Sequence, residues 1–189
     1  MSDAKKIMEM IKEHDITYVD LRFTDIAGKM QHVTQHIDTI DEDALNEGFM
    51  FDGSSIAGWK AINESDMTLM PDLYRAYIDP FFAQPTLALF CDVLEPSSGE
   101  AYDRDPRGTA KAALAHIESL GIADTAFFGP EAEFFIFEDV KIDVSMNRGL
   151  YSVDSVEGPY NSARKYGEGN LGHRPGVKGG YFPVPPVDS

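Results

Sequence analysis

Glu131 and Glu133 stand one residue apart in GPEAEFFIF, residues 129 to 137. Alternate side chains of an extended strand share a face, so Glu131, Glu133, Phe135 and Phe137 point one way and Ala132, Phe134 and Ile136 the other. Both faces are apolar beyond the second glutamate, which predicts a strand from about 125 to 138 buried on both sides. An unpaired carboxylate there is expensive to desolvate, so something positive must oppose the pair. Two same-face residues roughly 7 Å apart at Cα can bring their carboxylates to one hard cation or to two adjacent ones. Oxygen donors select Mg²⁺ or Mn²⁺ over zinc, which prefers nitrogen and sulfur. On spacing alone a plainer reading stays open: the first residues of the strand emerge from the core and the glutamates meet water or an arginine.

A second group with chemical potential is Phe51-Asp52-Gly53-Ser54-Ser55. It gathers a charge and two hydroxyls in a small space, around a glycine suited to a backbone turn that other residues resist. An ordinary Asx turn is the alternative. Other patterns carry less. Gly167 to Gly172 spells G-x-G-x-x-G, but SARKYGEG before it and HRPGVKGG after it are neither the strand nor the helix that a dinucleotide fold requires. No Walker loop occurs. The five histidines show no metal-ligand spacing: His32 and His36 are four apart, which makes a tight pair on a helix and not on a strand. Cys91, the single cysteine, lies in the apolar run TLALFCDV, and Trp59 with the nearby methionines reads as packing.

The elements that must hold these residues follow from periodicity. Ser2 or Asp3 can cap a helix whose Ile7, Met8 and Ile11 share a face, ending near His14. Thr17, Val19, Leu21 and Phe23 alternate with polar residues, a half-buried strand; the turn 25–29 then makes a hairpin with a weaker strand from Met30 to about Thr34. DEDALNE, 41–47, suggests a short helix stopped by Gly48. From Phe51 to Pro71 the periodicity vanishes and an ordered loop is expected. Thr86 to Leu94 suits a central strand, and EPSSGEAYDRDP reads as a linker, with a domain boundary near 103. Asp105-Pro106 starts a helix with Ala110, Ala113, Leu114, Ile117 and Leu120 on one face, ending at Gly121. A hairpin is expected around Asn147-Arg148-Gly149. No element is predicted over 154–189.

The net charge of −16 over 189 residues disfavours a nucleic-acid groove or an anionic membrane, each of which needs clustered Lys and Arg. The N-terminus lacks the apolar core of a signal peptide and no apolar run approaches membrane-spanning length, so a cytoplasmic protein is expected.

Taken in order, FMFDGSSIAGW, INESDMTLMPD, GPEAEFFIFED and GHRPGVKGGYFPVPPVDS closely resemble bacterial type I glutamine synthetase, through essentially all 189 residues. The resemblance implies an α+β protein: a β-grasp-like domain, residues 1–103, then the beginning of an α/β catalytic domain, 104–189. It implies ATP-dependent joining of glutamate and ammonia through γ-glutamyl phosphate. Glu131 and Glu133 are then similar to ligands of two divalent cations, Asp52 to the aspartate that binds ammonium and removes its proton, and Ser55 and Tyr181 to its neighbours in the ammonium pocket. Asp66 belongs to the same signature. Family chains are much longer and carry further metal-binding glutamates and a histidine, nucleotide-binding segments and arginines. The resemblance therefore implies an N-terminal fragment, inactive alone. It also implies sites between neighbouring subunits of a dodecamer built from two hexameric rings, with the Asp52 loop of one subunit covering the cavity of the next. A γ-glutamyl ligase for a larger amine such as a polyamine, and a non-catalytic acidic assembly module, are the alternatives.

Overall fold

The computed structural model of the protein describes residues 3–167, and the chain divides into two compact units, Met1–Phe127 and Phe128–Ser189. In the first, helix α1 (Asp3–Glu13) is followed by strands β1 (Tyr18–Thr24) and β2 (Met30–His36), helix α2 (Glu42–Glu47), strands β3 (Phe49–Asp52), β4 (Asp66–Pro71), β5 (Tyr77–Ile78) and β6 (Thr86–Leu94), and helix α3 (Pro106–Ser119). The second holds, among its described residues, β7 (Asp139–Ser145) and β8 (Arg148–Asp154).

Local signals place most of these elements. Ala4, Ile7 and Ile11 bury one face of α1 against the sheet. Asp25 closes the β1–β2 turn by accepting from the backbone N–H groups of Ala27 and Lys29, both at 2.9 Å, and Gly28 adopts φ +83° where a side chain would be strained. Asp41 caps α2 through the Ala44 N–H at 2.7 Å, and Gly48 ends it at φ +89°. The sheet runs β2-β1-β6-β4-β3, with β5 also on β6. β1 and β6 are parallel, and every other pairing is antiparallel. Val19, Leu21, Leu87, Leu89 and Val93 are fully buried here, so the central strand expected at 86–94 is the spine of the core.

Three expectations fail, each for a physical reason. Residues 51–71 are not a loop throughout: β4 lies within them, with Met67 and Leu69 fully buried and Thr68 nearly so. Consecutive buried residues erase the period-two alternation by which a strand is recognised. The stretch read as a linker is half structural. Glu95 to Glu100 makes a turn, and Tyr102 and Asp105 are buried; the Asp105 carboxylate caps α3 through Arg107 N–H at 2.9 Å and takes the Val93 N–H of β6 at 3.1 Å. Finally, residues 125–137 form no strand, and Phe134, Phe135 and Ile136 are 78, 78 and 77% exposed. A strand exists by exchanging backbone hydrogen bonds with a neighbour, and no strand pairs with this segment among the described residues. The helix expected after Asp105 is present, yet Leu114 and Leu120 on its apolar face are also exposed.

In the second unit β7 and β8 pair antiparallel from Asp139↔Asp154 to Ser145↔Arg148, so the turn is Met146-Asn147. Beyond it Asp154 organises the chain, accepting from the Ser162 and Tyr166 hydroxyls and from Asn161 Nδ2. Among the described residues no helix is long and apolar enough to cross a membrane.

Candidate functional site

β3 pairs with β4 from Phe49↔Leu69 to Asp52↔Asp66, which sets Asp52 and Asp66 opposite one another at the end of the sheet. Asp52 then caps a single 3-10 turn, Gly53–Ser55. Its Oδ1 accepts from Ser54 N–H at 2.9 Å and from the Ser54 hydroxyl at 2.6 Å, and its Oδ2 from the Ser55 hydroxyl at 2.8 Å. These donors, Ser54 first and Ser55 next, hold the exposed carboxyl below the usual carboxylate range. Asp52 is thus a fixed negative charge at neutral pH. The same donors weaken it as a proton acceptor, so the geometry favours attracting a cation over removing a proton from it.

Gly53 is required here for space. Its φ is not positive; instead a Cβ would lie 2.5 Å from Met67 Cγ and 3.1 Å from the Ser65 carbonyl oxygen, which accepts the Gly53 N–H at 2.7 Å. The sequence reading of Gly53 as a conformational glycine is corrected accordingly. Further along the loop Trp59 is buried against Phe23, Phe51 and Tyr102, with ring centroids 5.5, 6.1 and 5.2 Å away. Lys60 Nζ meets Glu95 Oε1 at 2.5 Å, and Arg104 Nη1 donates to the carbonyls of Gly58 and Trp59. Sequence reasoning missed these ties, because Lys60 and Glu95 are far apart in the chain and neither sits in a recognisable motif.

Glu131 and Glu133 are both exposed in the unpaired segment. The interior setting expected for them is absent among the described residues. The Phe135 and Phe137 rings stack at 6.0 Å, as alternate side chains on one side of an extended chain do. In donor type the two glutamates suit a hard divalent cation, but among the described residues no cluster of three or more His, Cys, Asp or Glu could hold a metal. Tyr181 lies outside the described residues. His32 is tied to the buried Asp20 through Nδ1 at 2.7 Å, and burial pushes the Cys91 thiol pKa up, as its apolar strand implies.

Residues 15–96 match the family model described as "Glutamine synthetase, beta-Grasp domain", and residues 103–189 match "Glutamine synthetase, catalytic domain". The chain belongs to the glutamine synthetase family. Glutamine synthetase of Azospirillum brasilense is 66% identical over all 189 residues, and that of Rhizobium meliloti 60%. The Salmonella typhimurium glutamine synthetase is 56% identical over 186 residues. The chain spans about 40% of the length of each of these relatives. A cryo-EM structure of Plasmodium falciparum glutamine synthetase shares the fold across the whole chain and 37% of its own, at TM-score 0.73 and 24% identity. The fold is thus a β-grasp domain followed by the start of a glutamine synthetase catalytic domain.

Proposed function

We propose that this chain is the N-terminal portion of a glutamate–ammonia ligase, which phosphorylates glutamate with ATP and lets ammonia displace the phosphate. The observation that carries this reading is the 66% identity to a glutamine synthetase across all 189 residues. The Asp52 turn supports it, because an ionised, exposed carboxylate fits capture of ammonium. In this reading Asp52 binds ammonium and takes its proton as the amine attacks, Ser55 and Tyr181 complete the pocket, and Asp66 stands opposite. Proton removal needs the Ser54 and Ser55 donors to loosen, since they lower the basicity of the carboxylate.

Glu131 and Glu133 are assigned as ligands of Mg²⁺ or Mn²⁺, completed by groups from the remaining length that the relatives have. When bound, such ions neutralise phosphate charge during phosphoryl transfer. The boundary near residue 103, the dodecamer of two hexameric rings with sites between subunits, and a cytoplasmic setting belong to the same proposal. The match of 103–189 to a catalytic-domain model weighs against a pure assembly module.

The test is the full-length protein assayed with glutamate, ATP and either ammonia or a polyamine. Glutamine and phosphate formed in equal amounts from ammonia support the reading. Preference for the polyamine overturns the substrate.

A further inference from the structure

We propose that Lys60 is a positioning residue for the Asp52 turn, acting through its ion pair with Glu95; this rests on the ammonium-binding reading of Asp52. The turn itself is held by the Asp52 cap, the Gly53 N–H bond to Ser65 and the Ile56 N–H bond to the Gly53 carbonyl. The stem of Lys60 completes the floor beneath it. A Cβ at Gly53 would meet Lys60 Cγ at 3.4 Å, alongside Met67 and Ser65, so Lys60 is packed directly under the residue that follows Asp52. Beyond that contact its ammonium group reaches Glu95 and lies 5.2 Å from the Tyr102 ring centroid. Glu95 directly follows the central strand β6 and is fixed by its own backbone bond to Glu100 at 2.9 Å. Tyr102 in turn packs on Trp59, the residue before Lys60. The loop is therefore fastened to the sheet at a point touching the candidate catalytic turn.

The lysine and glutamate side chains are 17 and 31% exposed, so the pair is partly screened and its effect on overall stability is modest. Its consequence is placement. Charge and placement predict opposite signs for the loss of Lys60. A nearby cation repels ammonium, so a purely electrostatic Lys60 would, when removed, leave ammonium bound more tightly. A positioning Lys60 would leave it bound more weakly.

The experiment is steady-state kinetics of the full-length protein with Lys60→Met, Lys60→Arg and Glu95→Gln, each checked for native melting temperature. Lys60→Met and Glu95→Gln should each raise the ammonium KM by about tenfold while the glutamate and ATP KM values move by less than about twofold. The double variant should be no worse than the poorer single, as expected for one shared interaction, and Lys60→Arg should recover most of the loss. A fall or no change in ammonium KM, or an equal rise in all three KM values, overturns the proposal. Asp52→Ala run alongside separates the two claims. If Asp52→Ala damages ammonium use and Lys60→Met does not, the positioning role alone fails. If Asp52→Ala leaves ammonium use intact, the reading beneath it fails as well.

Discussion

Asp52 ends a strand that is paired residue by residue to the buried β4, whereas Glu131 and Glu133 lie in a stretch that pairs with no strand among the described residues. The side-chain chemistry is the same. What differs is the supply of partners: the β-grasp sheet gathers its strands from residues 18–94, so the turn at its end is shaped by hydrogen bonds and packing already inside this chain. The 125–137 segment has the sequence of a doubly covered strand and, among the described residues, neither cover. The Asp52 turn is thus built locally, whereas the glutamate segment has no pairing strand among the described residues.

The contrast can be broken most severely at the metal side. In the full-length protein Glu131→Ala should cut turnover by about a thousandfold or more and weaken divalent-metal affinity; unchanged kinetics at limiting Mn²⁺ would remove Glu131 from the metal site. Stability offers a second test, on this 189-residue chain. Leu89→Ala in the central strand should cost about 2–5 kcal/mol by chemical denaturation, and Phe135→Ala less than about 0.5 kcal/mol. A large loss at Phe135 would mean that the segment is packed after all. Asp52→Ala in the full-length protein should lower kcat/KM for ammonia by about a hundredfold with phosphorylation of glutamate retained. Equal loss of both steps contradicts the role.

The smallest effect concerns pH. The Ser162 and Tyr166 hydroxyls hold the Asp154 carboxyl down to about 2. An unfolded aspartate titrates near about 3.9, so the contribution of Asp154 to stability is complete above that pH and is lost as the pH falls toward 2. Carbon-detected NMR titration should place its midpoint near the lower value; a midpoint at the unfolded value would show that the hydroxyl clasp does not form.

The sequence disclosed whatever is encoded within a turn or two: α1 through Ile7, Met8 and Ile11, the β1–β2 hairpin through alternation and the turn 25–29, the stop of α2 through Gly48, and the start of α3 through Asp105 and Pro106. It concealed what depends on partners distant in the chain. β4 was hidden because both of its faces are covered. Asp20, one of the most buried side chains, gave no sign of the Arg22, His32 and Thr34 donors that satisfy it at 2.7 Å each. At the site, the Asp52 turn was legible as FDGSS, while the fit of Gly53 over Met67 and the Lys60–Glu95 tie were not. The apolar run after Glu133 was read as a buried strand because composition reports what a segment needs, and not whether the neighbours that meet that need are present.

The most direct measurement is calorimetric titration of the full-length protein with Mn²⁺, wild type against the Glu131→Gln, Glu133→Gln double variant. Stoichiometric binding by the wild type, weakened by about a hundredfold or lost in the variant, is the predicted result. Binding of the same stoichiometry and affinity in both would contradict the assignment of these carboxylates as metal ligands.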